Sequence, residues 1–314
     1  MKPIEYIAVI GAGLMGHGIA QEFAIAGFSV CLYDVKEETL QQATQRIQGN
    51  LKLLSAQGLI PEAVIEPAIS HVRTSTNLEE AVHNADYVVE AVTEDLPLKL
   101  RLFAELDRLC PEHTILASNT STFMPSLLAD ATQRPDRVLV AHYFNPPYLL
   151  PLVEVVSCPQ TSPETKETTL NLLRQIGKHP VEIHKECPGF VANRLQTALV
   201  REAFAIVQEG IASPQELDAV VRNGFGRRLA IAGPFEIGEA AGWDLWRAVA
   251  EQILPTLSNN REIPEALEKL VETGAVGIKS GQGFYTWGSE ETLSFRQRMA
   301  HGLLEMSGWG KKSE

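Results

Sequence analysis

The chain has 314 residues, of which 45% are hydrophobic and 21% charged, so it is long enough for about two globular domains. Its formal net charge of −12 argues against nucleic acid or an anionic membrane surface as a partner. No apolar run reaches the ~18 residues of a membrane span, and no signal-peptide pattern opens the sequence. The four cysteines and eight histidines lack metal-ligand spacing, so we expect no metal site and a reducing, cytoplasmic environment.

A glycine-rich segment follows the first predicted strand, Ile4–Ile10, and a helical pattern begins directly after it. In this context Gly11 permits a tight turn, Gly13 lets the backbone approach a pyrophosphate, and Gly16 lets the helix pack on the strand. The helix N-terminus supplies free N–H groups and a positive dipole to the phosphates. We therefore predict a dinucleotide-binding loop consisting of Gly11, Gly13, Leu14, Met15 and Gly16.

The second predicted strand, Ser29–Tyr33, ends at Asp34. A carboxylate about 20 residues beyond the glycine loop accepts hydrogen bonds from the ribose hydroxyls and repels a 2′-phosphate, which favours NAD over NADP. Lys36 lies close to it in sequence, so some use of NADP stays open. A glycine turn followed by a surface aspartate gives the same pattern without any nucleotide.

Strands and helices alternate through the rest of the first half of the chain. The predicted helices are Glu37–Ala56 and Pro97–Leu109, and the predicted strands are His71–Thr76, Asp86–Val92 and Thr114–Ser118. This alternation predicts an α/β fold with a Rossmann-type, doubly wound sheet, whose ligands bind beyond the carboxyl ends of the strands. The amide of Asn119 and the hydroxyl of Ser121 follow one such end and can contact a nicotinamide or a reacting oxygen. Ser121 can equally well cap the next helix.

A strand, a turn and a returning strand are predicted from the apolar runs Val138–Phe144 and Leu152–Val156 on either side of Pro146-Pro147. Folding the segment at its centre places His142 opposite Glu154, with their Cβ atoms ~5 Å apart. An imidazole held by a carboxylate is a general base with a fixed tautomer. A buried histidine satisfied by a structural acid is the alternative interpretation.

The composition becomes helical in the second half of the chain. Phe190–Glu209 predicts one long helix with an apolar stripe, and the capping box Ser213–Glu216 predicts the start of the next. Strand-like sequence returns at Gly283–Trp287. We therefore predict an NAD-binding domain at residues 1–186 and an all-helical domain at residues 187–314. The apolar stripe indicates burial against a partner chain or, in a monomer, against the first domain.

Two adjacent arginines, Arg227 and Arg228, follow a glycine-containing loop in the helical domain. Their guanidinium groups can pair with a carboxylate or phosphate on a substrate. Adjacent arginines on an acidic protein can also be solvated or paired with Asp and Glu, so both interpretations stay open.

Six motifs follow one another along the chain. They are Gly-Ala-Gly-Leu-Met-Gly-His-Gly (11–18), Val-Val-Glu-Ala-Val-Thr-Glu (88–94), Ala-Ser-Asn-Thr-Ser (117–121), His-Tyr-Phe-Asn-Pro-Pro (142–147), Pro-Leu-Val-Glu-Val-Val (151–156) and Pro-Gly-Phe-Val-Ala-Asn-Arg (188–194). In this order they resemble the 3-hydroxyacyl-CoA dehydrogenase family, from Ile4 to about Trp287.

This resemblance implies that His142 takes the hydroxyl proton of a substrate as hydride leaves for the nicotinamide, with Glu154 orienting the ring. It also implies that Ser121 and Asn193 hydrogen-bond the reacting oxygen, and that the protein is a homodimer through its helical domain. The resemblance further implies that Glu94 and Lys99 contact the cofactor and that Asn145 lines the same site. With Asn119, these are the cofactor residues that we predict in addition to the glycine loop and Asp34.

The substrate is less well specified. Gly277–Tyr285 is similar to short-chain 3-hydroxyacyl-CoA (3-hydroxybutyryl-CoA) dehydrogenases. Other motifs look equally like the branch of L-gulonate 3-dehydrogenase (λ-crystallin) and carnitine dehydrogenases, which oxidise free hydroxy acids. The positions that contact CoA in the acyl-CoA enzymes carry Asn50 and Gln57 here. We expect a 3-hydroxyacyl-CoA substrate, with a free small 3-hydroxy acid, or a non-catalytic NAD-binding structural protein, as alternatives.

Overall fold

The computed structural model describes residues 3–306, which form two compact units. The first unit comprises the described residues up to Val191 together with those from Met299 onward, and the second is Ala192–Arg298. The C-terminal residues return to the first unit because Leu304 is buried in a cluster with Leu54 and Leu149. The domain limits predicted at residues 186 and 187 stay a prediction.

The first unit combines strands and helices. Its strands are β1 (Tyr6–Ile10), β2 (Ser29–Tyr33), β3 (Val72–Ser75), β4 (Tyr87–Glu90), β5 (Ile115–Ser118), β6 (Val138–Tyr143), β7 (Leu152–Ser157) and β8 (His179–Ile183). Its helices are α1 (Gly16–Ile25), α2 (Glu37–Ala56), α3 (Ile65–His71), α4 (Leu78–Val82), α5 (Leu96–Leu109), α6 (Pro125–Ala129) and α7 (Pro163–Gln175).

The strands form one mixed sheet in the order β3-β2-β1-β4-β5-β6-β7-β8. Strands β1 to β6 are parallel, β7 runs antiparallel to β6, and β8 is parallel to β7. The order reverses between β1 and β4, which is the switch point at which ligands bind in such sheets. The predicted doubly wound α/β fold is confirmed.

Both faces of the sheet are covered, because its central strands are apolar at successive positions. In β1 the side chains of Ile7 and Val9 join one buried cluster, together with Phe23 of α1. The alternate side chains of β1, Ala8 and Ile10, join the other cluster. The carboxyl ends of β1, β4, β5 and β6 are therefore held in place by packing on two sides.

The second unit is helical. Its helices are α8 (Ala192–Gln208), α9 (Pro214–Asn223), α10 (Phe225–Leu229), α11 (Pro234–Ala241), α12 (Trp243–Ile253) and α13 (Glu265–Glu272), followed by α14 (Ser289–Met306), which extends into the first unit. The predicted capping box is present, since Ser213 accepts from the Glu216 N–H and the Glu216 carboxylate accepts from the Ser213 N–H. None of the helices within residues 3–306 is long and apolar enough to cross a membrane.

Two local predictions were wrong. The long helix begins at Ala192 rather than Phe190, because Phe190 has a φ of 50° and its fully buried ring packs with Val140 and Val156. Gly283–Trp287 forms no strand; this stretch contributes an isolated bridge between Gln282 and Thr286. The short helices α3, α4 and α6 were not predicted, since five to seven residues carry too little periodicity.

Candidate functional site

The glycine loop lies between β1 and α1, at the switch point of the sheet. Gly11 has a φ of 103°, and a Cβ there would lie 2.7 Å from the Ala91 carbonyl oxygen. A Cβ on Gly16 would lie 1.7 Å from the Gly11 oxygen, so both positions require glycine for the packing of the protein itself. A Cβ on Gly13, in contrast, would have no heavy atom of the described residues within 4 Å. That open space beside the helix N-terminus fits the pyrophosphate of a dinucleotide.

Asp34 sits at the end of β2, next to this loop. Its Oδ2 accepts a hydrogen bond from the Ala12 N–H at 3.0 Å, and its Oδ1 accepts one from the Lys36 N–H at 3.1 Å. These bonds fix the carboxylate beside the glycine loop, where the ribose of a bound dinucleotide is expected. The geometry fits the cofactor that the sequence predicts.

His17, which the sequence analysis did not single out, is buried in the first turn of α1. Its Nδ1 lies 2.8 Å from the Gly13 carbonyl oxygen. Burial lowers the pKa of His17, although the hydrogen bond to Gly13 opposes that shift. This contact ties the His17 ring to the carbonyl group of Gly13 in the glycine loop.

The hairpin of β6 and β7 brings His142 and Glu154 together. The two residues are directly opposite in the antiparallel register, and His142 Nδ1 lies 2.9 Å from Glu154 Oε2. Only 4% of His142 and 2% of Glu154 are exposed. The rings of Phe144 and Phe190 lie 4.5 and 5.7 Å from the imidazole, centroid to centroid. The predicted contact of the two side chains is confirmed.

Both oxygens of the Glu154 carboxylate have a defined partner. While Oε2 faces the imidazole, Oε1 accepts a hydrogen bond from the Val191 N–H at 3.0 Å. An ionised carboxylate can only accept, so Nδ1 of His142 carries the hydrogen of that contact. Nε2 is then the nitrogen that can exchange a proton with a substrate. We call His142 and Glu154 the hairpin pair.

Asn119 connects the end of β5 to the hairpin. Its side-chain oxygen accepts a hydrogen bond from the Tyr143 N–H at 2.8 Å, and its own N–H donates to the Glu90 carbonyl at 2.7 Å. The segment that carries Ser121 is thereby tied to the strand that carries His142. This contact assigns the Asn119 oxygen to the protein's own structure, and a cofactor contact by its amide stays a prediction.

Ser121 does not cap the following helix. The residue in the N-cap position of α6 is Met124, and its side chain makes no capping hydrogen bond. The Ser121 N–H donates instead to Glu94 Oε1 at 3.0 Å. Of the two interpretations, the structure therefore excludes the helix cap.

An ion-pair network centred on the buried Lys99 lies behind this segment, and its Glu94 side chain is 38% exposed. Lys99 Nζ is 2.7 Å from Glu90 Oε1 and 3.2 Å from Glu94 Oε2, and Lys99 is 1% exposed. Glu90 is fully buried and also accepts hydrogen bonds from Ser118 Oγ and the Val92 N–H. We call Glu90, Glu94 and Lys99 the lysine cluster. Sequence reasoning places Glu90 at the carboxyl end of an apolar strand but gives it no role, although a carboxylate there is a usable signal of a buried charged partner.

A second ion pair joins α1 to the hairpin turn. Lys178 forms a buried salt bridge with Glu22 of α1 and donates a hydrogen bond to the Pro147 carbonyl at 2.6 Å. A Cβ on Gly18 would lie 3.0 Å from the Pro147 ring. The helix that follows the glycine loop is thus packed against the turn that precedes β7. Sequence reasoning missed this pair, since its two residues are far apart in the chain.

The remaining predicted residues are placed as follows. Asn145 is exposed and precedes Pro146 through a cis peptide bond at the start of the hairpin turn. Asn193 lies in the first turn of α8 in the second unit, and Arg227 and Arg228 lie on α10. Their contacts with substrate or cofactor stay predictions.

The chain matches a known family over most of its length. Residues 6–187 match the family described as 3-hydroxyacyl-CoA dehydrogenase, NAD binding domain, and residues 189–287 match its C-terminal domain. The chain belongs to the 3-hydroxyacyl-CoA dehydrogenase family. It is an NAD-dependent oxidoreductase, and the prediction of NAD as cofactor is confirmed.

Among similar proteins, a probable 3-hydroxybutyryl-CoA dehydrogenase of Bacillus subtilis is 39% identical over 90% of this chain and 98% of its own. The human λ-crystallin homolog is 41% identical over 73% of this chain and 72% of its own. The solved structure of 5-formyl-3-hydroxy-2-methylpyridine 4-carboxylic acid 5-dehydrogenase, an NAD⁺-dependent dismutase, has a TM-score of 0.93 at 32% identity. That similarity covers 99% of this chain and all of that one.

Proposed function

We propose that the protein catalyses the reversible oxidation of a secondary 3-hydroxyl group to a ketone, with His142 as general base. The observation that carries this proposal is the hairpin pair, with Nδ1 of His142 held by Glu154 at 2.9 Å. When bound, NAD accepts the hydride. The chain's own residues move the proton, which passes from the substrate hydroxyl to Nε2 of His142 in one direction and returns in the other.

Three further residues complete the proposed assignment. Ser121 and Asn193 donate hydrogen bonds to the reacting oxygen and stabilise the negative charge that develops there. Asn145, which adjoins the hairpin turn, lines the cofactor side. The Ser121 segment is attached to Tyr143 through Asn119 and to Glu94 directly, which supports its role, because catalytic donors must be held in place before the reaction.

The substrate that we propose first is a short-chain 3-hydroxyacyl-CoA such as 3-hydroxybutyryl-CoA. Its support is the family match over residues 6–287 and the similarity to the Bacillus subtilis protein, which is named for that reaction. The motif at Gly277–Tyr285 points in the same direction.

A free, small hydroxy acid is the second candidate. The positions that contact CoA in the acyl-CoA enzymes carry Asn50, on α2, and Gln57, directly after that helix. The end of α14 packs Leu303 and Leu304 against Leu53 and Leu54 of the same helix.

A substrate comparison tests the proposal. NADH consumption is followed with acetoacetyl-CoA, and NADH formation with L-gulonate and with L-carnitine. Turnover of acetoacetyl-CoA at the highest kcat/KM supports the CoA ester, and a preference for L-gulonate or L-carnitine supports the free acid. Failure to turn over any hydroxy acid or ketone would leave a non-catalytic NAD-binding protein. An NADP preference in kcat/KM would contradict the role of Asp34.

We also propose that the protein is a homodimer through the second unit. Large apolar side chains of this unit are exposed within the single chain: Leu195 of α8 is 61% exposed, Phe235 of α11 is 77% exposed, and Ile231, in the turn between α10 and α11, is 78% exposed. Apolar faces of this size in a soluble protein mark association surfaces. Light scattering during size exclusion should give the mass of two chains at micromolar concentration, and a one-chain mass would contradict the dimer.

A further inference from the structure

The Glu94 carboxylate is engaged by the segment that carries Ser121. Its Oε1 accepts four hydrogen bonds, from Thr120 Oγ1 at 2.5 Å, the Ser121 N–H at 3.0 Å, the Thr122 N–H at 3.2 Å and Thr122 Oγ1 at 2.9 Å. Two N–H and two O–H groups of three consecutive residues thus converge on one oxygen. An ionised carboxylate has about four acceptor positions over its two oxygens, so these donors share Oε1, and the Thr122 N–H also lies 3.3 Å from Thr120 Oγ1.

The other oxygen of Glu94 faces Lys99. The ammonium group of Lys99 lies 3.2 Å from Glu94 Oε2 and is itself held at 2.7 Å by Glu90, which is fully buried. Glu90 in turn accepts from Ser118 Oγ, at the end of β5. Lys99 therefore holds one oxygen of the Glu94 carboxylate, Oε2, and the Ser121 segment donates its hydrogen bonds to the other, Oε1.

We propose that Glu94 is a positioning residue for Ser121, acting on the substrate side of the site instead of serving chiefly as a cofactor contact. Both Glu94 oxygens have protein partners, and one of those partners is the backbone of Ser121 itself. Loss of the charge releases the turn at residues 120–122 and with it the hydroxyl that meets the reacting oxygen. This inference rests on the role that the proposed function gives to Ser121.

Substitution of Glu94 by glutamine is the decisive change, because it keeps the shape and removes the charge. The amide nitrogen of glutamine is a donor, so whichever way the group is turned it places N–H groups against either Lys99 or the donors of the segment. We expect kcat of Glu94→Gln to fall by about 10²-fold, as for a small misplacement of a reacting group. The KM for NAD should change less than about twofold, which is well below the ~10-fold that a lost charged hydrogen bond to the cofactor would cost.

Two control variants distinguish a loss of kcat that is specific to Glu94 from a general loss of activity. Asp95→Asn alters the adjacent carboxylate, which caps α5 by accepting from the Leu98 N–H at 2.8 Å. Asparagine caps helices as well as aspartate, so kcat and both KM values should stay near those of the wild type. Asp34→Ala, in contrast, should raise the KM for NAD.

A double variant shows whether Glu94 acts through Ser121. If it does, Glu94→Gln should cost little further kcat in a Ser121→Ala background, because the group being positioned is already absent. Additive losses in the double variant, or a raised KM for NAD with unchanged kcat in the single one, would overturn the proposal.

Hydrogen exchange provides a measurement that does not depend on turnover. The N–H groups of Ser121 and Thr122 should exchange faster in Glu94→Gln than in the wild type, while exchange within α5 stays unchanged. Unchanged exchange at residues 120–122 would overturn the positioning role. If exchange rises but Ser121→Ala keeps full kcat, Glu94 still orders the segment and it is the proposed role of Ser121 that fails.

Discussion

The hairpin pair and the lysine cluster both bury a glutamate near the carboxyl ends of the central strands, but they give it different partners. Glu154 is 2% exposed and faces His142, whereas Glu90 is fully buried and faces Lys99. An imidazole can act as a general base, whereas an ammonium group between two carboxylates forms charge-assisted contacts with both of them. The hairpin pair therefore suits the proton transfer that we propose, and the lysine cluster suits a structural role.

The position of such a pair in the sheet matters as much as its composition. A second histidine–acid pair, His113 with Asp86 at 2.9 Å, lies at the beginning of β4 and β5, at the amino ends of the strands. Asp86 also accepts hydrogen bonds from the backbone of Glu5 and Tyr6. Because cofactors bind at the carboxyl ends, this pair provides a matched control for His142.

His142→Gln should give the largest effect on rate. Removing a general base typically costs ~10²–10⁴-fold, and we expect kcat to fall within that range because glutamine cannot take up the proton. Steady-state kinetics at saturating NAD measure it. His113→Gln should keep kcat near the wild-type value. Near wild-type turnover by His142→Gln would remove the assigned role.

Lys99→Met should give the largest effect on stability. It leaves Glu90 buried without its cation, and breaking a buried ion pair in this way costs about 3–5 kcal/mol in the free energy of unfolding. Denaturant titration measures the loss. The control is Lys166→Met, whose partner Glu182 lies 2.8 Å away with about a third of each side chain exposed; it should cost about 0–1 kcal/mol. Equal losses in both variants would mean that burial does not increase the contribution of the Lys99–Glu90 ion pair to the free energy of unfolding.

Glu154→Gln should have a smaller effect than His142→Gln. Glutamine can still accept from the histidine through its amide oxygen, but its NH2 group then faces the Val191 N–H, which also donates. We expect the ring to stay near its place but to lose the charge that stabilises the imidazolium. Partners that orient metal-binding histidines typically contribute about 10–100-fold to activity, and we expect a loss of that order here. The ratio of the two kcat losses is the measurement. A loss as large as that of His142→Gln would indicate that the pair acts as a single unit.

The pH dependence of stability should show the smallest effect. Partial burial raises the pKa of the Glu94 carboxyl, but hydrogen bonds from Thr120 and Thr122 and the charge of Lys99 outweigh it and hold the pKa below the usual 4.5. A group with a lowered folded-state pKa stabilises the protein above its unfolded-state pKa, and that contribution is lost as pH falls through the folded-state value. The stability difference between wild type and Glu94→Gln should therefore shrink on acidification below 4.5. A stability difference between the two proteins that stays constant with pH would contradict a lowered pKa of Glu94.

Several features were predictable because they depend on residues close together in sequence. The glycine loop and Asp34 follow from strand and helix patterns with a fixed spacing. The pairing of His142 with Glu154 follows from the symmetry of a hairpin, since side chains alternate along strands and one turn fixes the register. The helix at Glu37–Ala56 has the bounds that its periodicity predicts.

Only the tertiary structure decided which polar groups are hydrogen-bonded or paired with one another. Glu94 and Thr120 are 26 positions apart and meet because parallel strands end at the same edge of the sheet. Lys178 reaches Glu22 and Pro147 through the packing of α1 on the hairpin turn. Burial strengthens these contacts by lowering the local dielectric, and burial is a property of the assembled fold. The sequence by itself thus determined which residues carry the proposed chemistry, and the packing of the fold decided which groups hold them in place.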